Sequence, residues 1–139
     1  MRAVFADASY WIALLNPRDA LHRKAKSLAE SLGRTWIVTS EMVFTELLND
    51  YSSRGAALRL AAVRLIQRLR QNPNVSVVPQ SSLQFQESLA LYTERLDKTW
   101  GLTDCASIQI MVREGLTQAL THDRHFQQAG FRALLRDPV

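Results

Sequence analysis

Asp7, Asp104 and Asp123 each stand where an apolar run gives way to a turn or a helix start, and a fourth acid lies in a helical segment after the second strand. Four carboxylates gathered at one place repel one another unless a cation neutralises them, and an all-oxygen donor set suits Mg2+ or Mn2+ rather than zinc. The acids therefore point to a metal site. Each also has an ordinary structural use: Asp7 can cap the helix that follows it, Asp104 can complement a helix N-terminus, and Asp123 can close an Asx-turn. For the fourth acid, Glu46 and Asp50 both lie outside the apolar stripe of their helix, so periodicity leaves either one as ligand or both in solvent. Cys105 sits among apolar helix neighbours and reads as a small core residue rather than a nucleophile served by His122 or His125. The two histidines, spaced i, i+3, read as part of a surface turn rather than a zinc site. Trp11, Trp36 and Trp100 read as core or interface aromatics. Asp7-Ala8-Ser9 lacks the second acid that a haloacid-dehalogenase-like phosphatase would carry, and no lysine follows Lys98 to serve a receiver-type domain.

The elements that must position these acids alternate between strand and helix. Residues 2–6 are too short an apolar run for a helix and read as a buried first strand ending at Asp7. A helix over 8–15 stops before Pro17, a second opens at Asp19 and runs to Gly33, and residues 35–39 are rich in β-branched and aromatic types, as a strand requires. Ser40 is expected to cap a helix whose Val43, Phe44, Leu47, Leu48 and Tyr51 share one face. Residues 56–71 carry the clearest stripe, Leu58, Ala62, Leu65, Ile66 and Leu69, flanked by arginines. A third strand over 75–78 follows, then a helix from Ser81 or Ser82 to about Leu96. Thr103 is expected to cap the next helix, which stops near Gly115. A strand at 118–121, a short helix at 124–129 and a last strand at 131–135 complete the chain. Strands joined by helices of crossover length imply an α/β fold, a three-layer α/β/α sandwich around a mainly parallel sheet of about five strands. Functional groups in such sheets collect beyond the C-terminal strand ends, where Asp7 and Asp123 fall.

The 139 residues, 47% hydrophobic and 22% charged, are enough for one domain spanning 1–139 and bury a core without disulfide staples. The single cysteine implies a reducing, cytoplasmic setting, and no apolar stretch reaches the ~18 residues needed to cross a membrane. Net charge is +4, with 14 Arg among the 17 basic residues, and arginine's planar fork suits phosphate.

The segments Val4-Phe5-Ala6-Asp7-Ala8-Ser9, Phe44-Thr45-Glu46-Leu47, Trp100-Gly101-Leu102-Thr103-Asp104-Cys105-Ala106-Ser107 and Thr121-His122-Asp123-Arg124-His125-Phe126-Gln127-Gln128-Ala129-Gly130-Phe131 resemble, in order, the acidic motifs of PIN-domain proteins, especially the stand-alone VapC toxin type. The resemblance implies a metal-dependent ribonuclease whose four acids are Asp7, Glu46, Asp104 and Asp123, and it selects Glu46 over Asp50. It places Ser9 and Thr121 as hydroxyls that support the site, and Thr103 is a further donor of that kind. One departure is Ala8, where many members carry Thr or Ser. One or two Mg2+ or Mn2+ ions held by the acids would lower the pKa of a water and polarise the phosphoryl oxygen, so no histidine base is required. Arg64, Arg68, Arg95 and Arg124 are candidate RNA contacts. The resemblance further implies an antitoxin protein that occupies the acidic pocket and a homodimer. The alternative is a non-catalytic PIN-like scaffold that binds RNA or protein without cutting it.

Overall fold

The computed structural model describes residues 2–137. In chain order the elements are β1 (Ala3–Ala6), α1 (Ala8–Leu15), α2 (His22–Leu32), β2 (Trp36–Ser40), α3 (Glu41–Tyr51) and α4 (Ala56–Gln71), followed by β3 (Val75–Val78), α5 (Ser82–Glu94), α6 (Leu102–Glu114), β4 (Gln118–Leu120), α7 (Arg124–Gln128) and β5 (Arg132–Ala133). The five strands form one sheet in the order β3-β2-β1-β4-β5, and every pairing is parallel. The sheet is thus all-parallel, where the sequence suggested only a mainly parallel one.

Strand order reverses at β1: the chain first builds outward through β2 and β3, then returns by α5 and α6 to lay β4 and β5 on the other side. Helices α1 to α4 pack among themselves, and α5, α6 and α7 form a second packed series, as right-handed crossovers in opposite directions require. The C-terminal ends of β1 and β4 therefore border the crevice where an open parallel sheet leaves room for a ligand.

β1 is covered on both faces, which is why Val4, Phe5 and Ala6 are all apolar and fully buried. Phe126 of α7 stacks on Phe5 with ring centroids 6.2 Å apart, anchoring the segment that carries Asp123. Tyr51, at the end of α3, is fully buried and donates its hydroxyl to the Ile12 carbonyl of α1 at 2.9 Å, tying those two helices together. Ser40 caps α3 as expected, its Oγ accepting from the Val43 N–H at 3.1 Å. Among the described residues no helix is long and apolar enough to cross a membrane.

Several boundaries differ from expectation for local reasons. Asp19 does not open α2: its Oδ1 accepts the Leu21 N–H at 2.9 Å, an Asx-type bend that delays the helix to His22. Thr103 lies inside the first turn of α6 rather than at its cap, because Gly101 occupies that position and the Asp104 carboxylate accepts the Gly101 N–H at 3.0 Å. α5 ends at Glu94, two residues early, and the last strand is only two residues long, although Leu134 and Leu135 still donate to Ala119 and Thr121 of the β4 segment.

Replacing Ser40 with Ala leaves the Val43 N–H without its cap, and urea unfolding is expected to show a loss of about 1 kcal/mol; an unchanged midpoint would mean that the cap contributes nothing to the anchoring of α3.

Candidate active site

Asp7 follows β1 directly, and its backbone N–H continues the β1–β4 ladder by donating to Leu120 C=O at 3.1 Å. Its side chain does not cap α1, so the carboxylate is left to the crevice. Asp7 Oδ2 instead accepts from Thr121 Oγ1 at 2.8 Å and from Ser9 Oγ at 3.3 Å. The same two hydroxyl oxygens accept backbone N–H groups from the segment after β4: Thr121 Oγ1 from Asp123 at 3.0 Å and Ser9 Oγ from His122 at 3.2 Å. Two hydroxyls thereby fix one carboxylate and the loop carrying the next, the supporting use expected of Ser9 and Thr121.

Asp104 and Asp123 approach from α6 and α7. Asp123 Oδ1 accepts the His125 N–H at 2.9 Å, so its Asx-turn role and its place in the site coexist. His125 Nδ1 lies 2.7 Å from Asp104 Oδ2 and 3.1 Å from Asp123 Oδ1, and its Nε2 is 3.3 Å from Thr99 Oγ1. A ring nitrogen between two carboxylate oxygens is placed to donate its proton to them. Asp104, Asp123 and His125 can each offer a ligand atom within 4.8 Å of the others. The reading of His122 and His125 as a surface turn missed this: His122 is exposed, but its i+3 neighbour joins the acids. The distinguishing signal was the single helical turn set by Asp123, which aims residue 125 back over its own cap.

Electrostatics link the four acids. Burial raises Asp7 from 3.8 to about 6, opposed by the Thr121 hydroxyl and reinforced by the charges of Asp104 and Asp123. Glu46 is raised to about 7, first by the protein atoms crowded around its carboxyl, then by Asp7 and Asp104, while the Thr103 hydroxyl pulls it down. The residue as a whole remains exposed, so water screens part of that repulsion. Asp104 is also raised, chiefly by burial, against the Gly101 N–H and His125. Asp50 is paired with Arg54 at 3.0 Å, whereas Glu46 is the one that feels the charges of Asp7 and Asp104. Among the described residues no Lys or Arg forms an ion pair with Asp7, Glu46, Asp104 or Asp123. Carboxylates crowded beside one histidine, with no lysine or arginine to pair them, are a donor set a divalent cation fits.

The arginines separate. Arg64 and Arg68 are exposed on α4, with no contact to the acids. Arg124 lies beside the site: together with Arg136 and Lys24 it adds to burial in holding His122 below the usual imidazole range. Arg95 stacks over Trp100 at 5.0 Å from the ring centroid. Cys105 is fully buried, and burial pushes its thiol up, as befits a core residue. Trp11 and Trp100 are buried as expected, and Trp36 is half-buried.

Because folding raises the carboxyl pKa values, the metal-free folded state holds more protons than the unfolded chain between about pH 4 and 7, so its stability falls as pH rises through that window. In EDTA, Asp7→Asn is expected to raise the melting temperature at pH 7, by the equivalent of about 2–3 kcal/mol, and to flatten the decline. Mn2+ should stabilise the wild type more at pH 7 than at pH 5. A wild type that gains stability from pH 5 to 7 in EDTA would contradict this electrostatic picture.

Residues 4–132 match the PIN domain family. The 23S rRNA-specific endonuclease VapC20 of Mycobacterium tuberculosis, curated from two strains, is 34% identical over 131 residues, covering 92% of this chain and 95% of the relative. The crystal structure of that species' VapC20, described as a sarcin-ricin loop cleaving toxin, superposes with a TM-score of 0.82 and 27% identity in the superposition, over 92% of this chain and 95% of that one.

Proposed function

The chain belongs to the PIN-domain family, and we propose that it is a divalent-metal-dependent endoribonuclease of the VapC toxin type that hydrolyses RNA phosphodiester bonds. The observation that carries this is the grouping of Asp7, Glu46, Asp104 and Asp123 at the β1/β4 crevice, where among the described residues His125 pairs with Asp104 and Asp123 but no lysine or arginine pairs with any of the four. Asp7, Asp104 and Asp123 would hold the ion or ions directly or through water, with Glu46 as a ligand or water-orienting group. When bound, Mg2+ or Mn2+ supplies a water of lowered pKa and positive charge for the phosphoryl and leaving oxygens.

The chain's own residues do the rest. Thr121 and Ser9 keep Asp7 oriented, since a carboxylate held by two hydroxyls cannot turn toward solvent when the site is empty of substrate. Gly101 and His125 do the same for Asp104. Arg124 and Arg95 are the basic residues placed to meet flanking phosphates, and with the four site acids set aside the remaining nine of the 13 acids face 17 basic residues. A phosphate chain is attracted to such a surface in a salt-dependent way that carries little sequence information. Arg64 and Arg68 would meet only an RNA that extends over α4.

The partners follow from the same surface. An antitoxin protein would cover the acidic crevice, where a basic side chain could stand in for the metal's charge. A second copy of the chain would pack on α5, whose Phe85 and Leu89 leave apolar side chains in water at 43% and 46% exposure. The single, buried thiol agrees with a reducing cytoplasm.

Purified protein incubated with RNA containing the 23S sarcin-ricin loop, the relative's substrate, tests the activity. Mg2+ or Mn2+ should produce discrete new ends, mapped by sequencing, that EDTA abolishes and that Asp104→Asn slows at least about 100-fold. Equal cleavage by wild type and variant would identify a contaminant, and binding without cutting would favour the scaffold reading. Sedimentation is expected to give twice the 15.8 kDa chain mass, and Phe85→Glu with Leu89→Glu should return it to one; a wild-type monomer at tens of micromolar would refute the dimer.

A further inference from the structure

Where α5 ends and the chain turns toward α6, a cavity of about 350 Å3 is walled by Tyr92, Arg95, Leu96, Lys98, Thr99 and Trp100. It shares a wall with the acidic site. Thr99 Oγ1 lies 3.3 Å from His125 Nε2, and Gly101, at the cavity floor, donates its N–H to Asp104 at 3.0 Å.

The lining has two parts. One is a guanidinium held in place before any ligand arrives: Arg95 donates from Nε and Nη2 to Asp97 at 3.0 and 3.1 Å and lies over the Trp100 ring, which is itself anchored by its Nε1 bond to Gln128 Oε1 at 2.9 Å. Arg95 has further N–H donors beyond the two that Asp97 uses, and Lys98, whose Nζ lies 3.9 Å from the same Asp97 carboxylate, adds a second cation, so the pair carries one positive charge beyond the one Asp97 offsets. The other part is apolar and aromatic surface left in water, with Tyr92 at 48% and Leu96 at 80% exposure. A pre-ordered cation beside an exposed aromatic ring is what an unpaired nucleotide requires, because its phosphate needs ordered N–H donors and its base a flat apolar face. The neighbouring acids attract cations and repel phosphate, so the next phosphate along a bound strand needs positive charge outside them, and this cavity supplies it.

We propose that the cavity is a subsite for one unpaired nucleotide adjacent to the scissile phosphate, its base against Tyr92 and Leu96 and its phosphate on Arg95 and Lys98. The identity of the polymer as RNA rests on the ribonuclease reading; the cavity's preference for a flexible, unpaired nucleotide over duplex does not.

The test is binding measured apart from cleavage. A fluorescein-labelled single-stranded RNA decamer is titrated by anisotropy in EDTA against wild type, Tyr92→Ala, Tyr92→Phe and Arg95→Gln. Tyr92→Ala is expected to weaken binding roughly 5- to 50-fold, the range for loss of one base stack, while Tyr92→Phe stays within about twofold. Arg95→Gln should weaken binding and reduce the salt dependence by about one phosphate contact. The proposal is overturned if Tyr92→Ala binds like wild type, if Tyr92→Phe fails to restore binding, or if sedimentation shows that Tyr92→Ala changes the subunit count, which would make this edge part of the protein interface. The two readings fail separately. RNA bound through Tyr92 but never cut in Mn2+ would remove catalysis and keep the subsite, whereas RNA cut with the same half-saturating concentration by wild type and Tyr92→Ala would remove the subsite and keep catalysis.

Discussion

Like charges brought together at the end of a buried strand repel one another, and the arrangement around the β1/β4 crevice is governed by that repulsion. Asp7 is only 4% exposed and has three other acids within electrostatic reach, yet among the described residues no lysine or arginine pairs with it. A fold selected only for stability would not keep this arrangement, since each carboxylate raised by burial and by its neighbours weakens the metal-free folded state at neutral pH. The cost has a function when a divalent cation occupies the place where the charges converge.

Bearing that cost falls to the most rigid part of the molecule. β1 lies at the middle of an all-parallel sheet with both faces covered, and the reversal of strand order beside it opens the crevice. Thr121 and Ser9 then connect Asp7 to the backbone that carries Asp123, so two of the acids are oriented by one small hydroxyl network instead of by separate supports. His125 joins the other pair, between Asp104 and Asp123. The cavity at the end of α5 reaches the same histidine through Thr99, so a nucleotide held there would bear directly on the acids.

Much of this was legible in the residues. The helix over 56–71 and the strand over 75–78 were read with the bounds that the structure shows, because an unbroken apolar stripe and a β-branched run each leave one solution. Asp7 and Asp123 fell at strand ends by pattern alone. Glu46 did not: it lies near Asp50 on the helical wheel, and the family resemblance rather than periodicity singles it out, while in the structure Glu46 feels the charges of Asp7 and Asp104 and Asp50 pairs with Arg54. Thr103 has the usual look of a cap, a threonine before an apolar run, whereas here a glycine takes the position and an acid three residues farther on satisfies its N–H. His125 went unread because its partners are 21 residues away and two residues away, a combination that no local spacing rule covers. Arg64 and Arg68 are candidate RNA contacts from charge alone, and charge does not say which side of the molecule a residue occupies; both are exposed on α4.

Anomalous diffraction from crystals grown with MnCl2 tests the central claim most directly. An ion peak enclosed by the carboxylates of Asp7, Asp104 and Asp123 is expected, with Glu46 facing it directly or through a water. Carboxylates turned away from one another with no manganese peak among them, in crystals where manganese binds elsewhere on the surface, would contradict it.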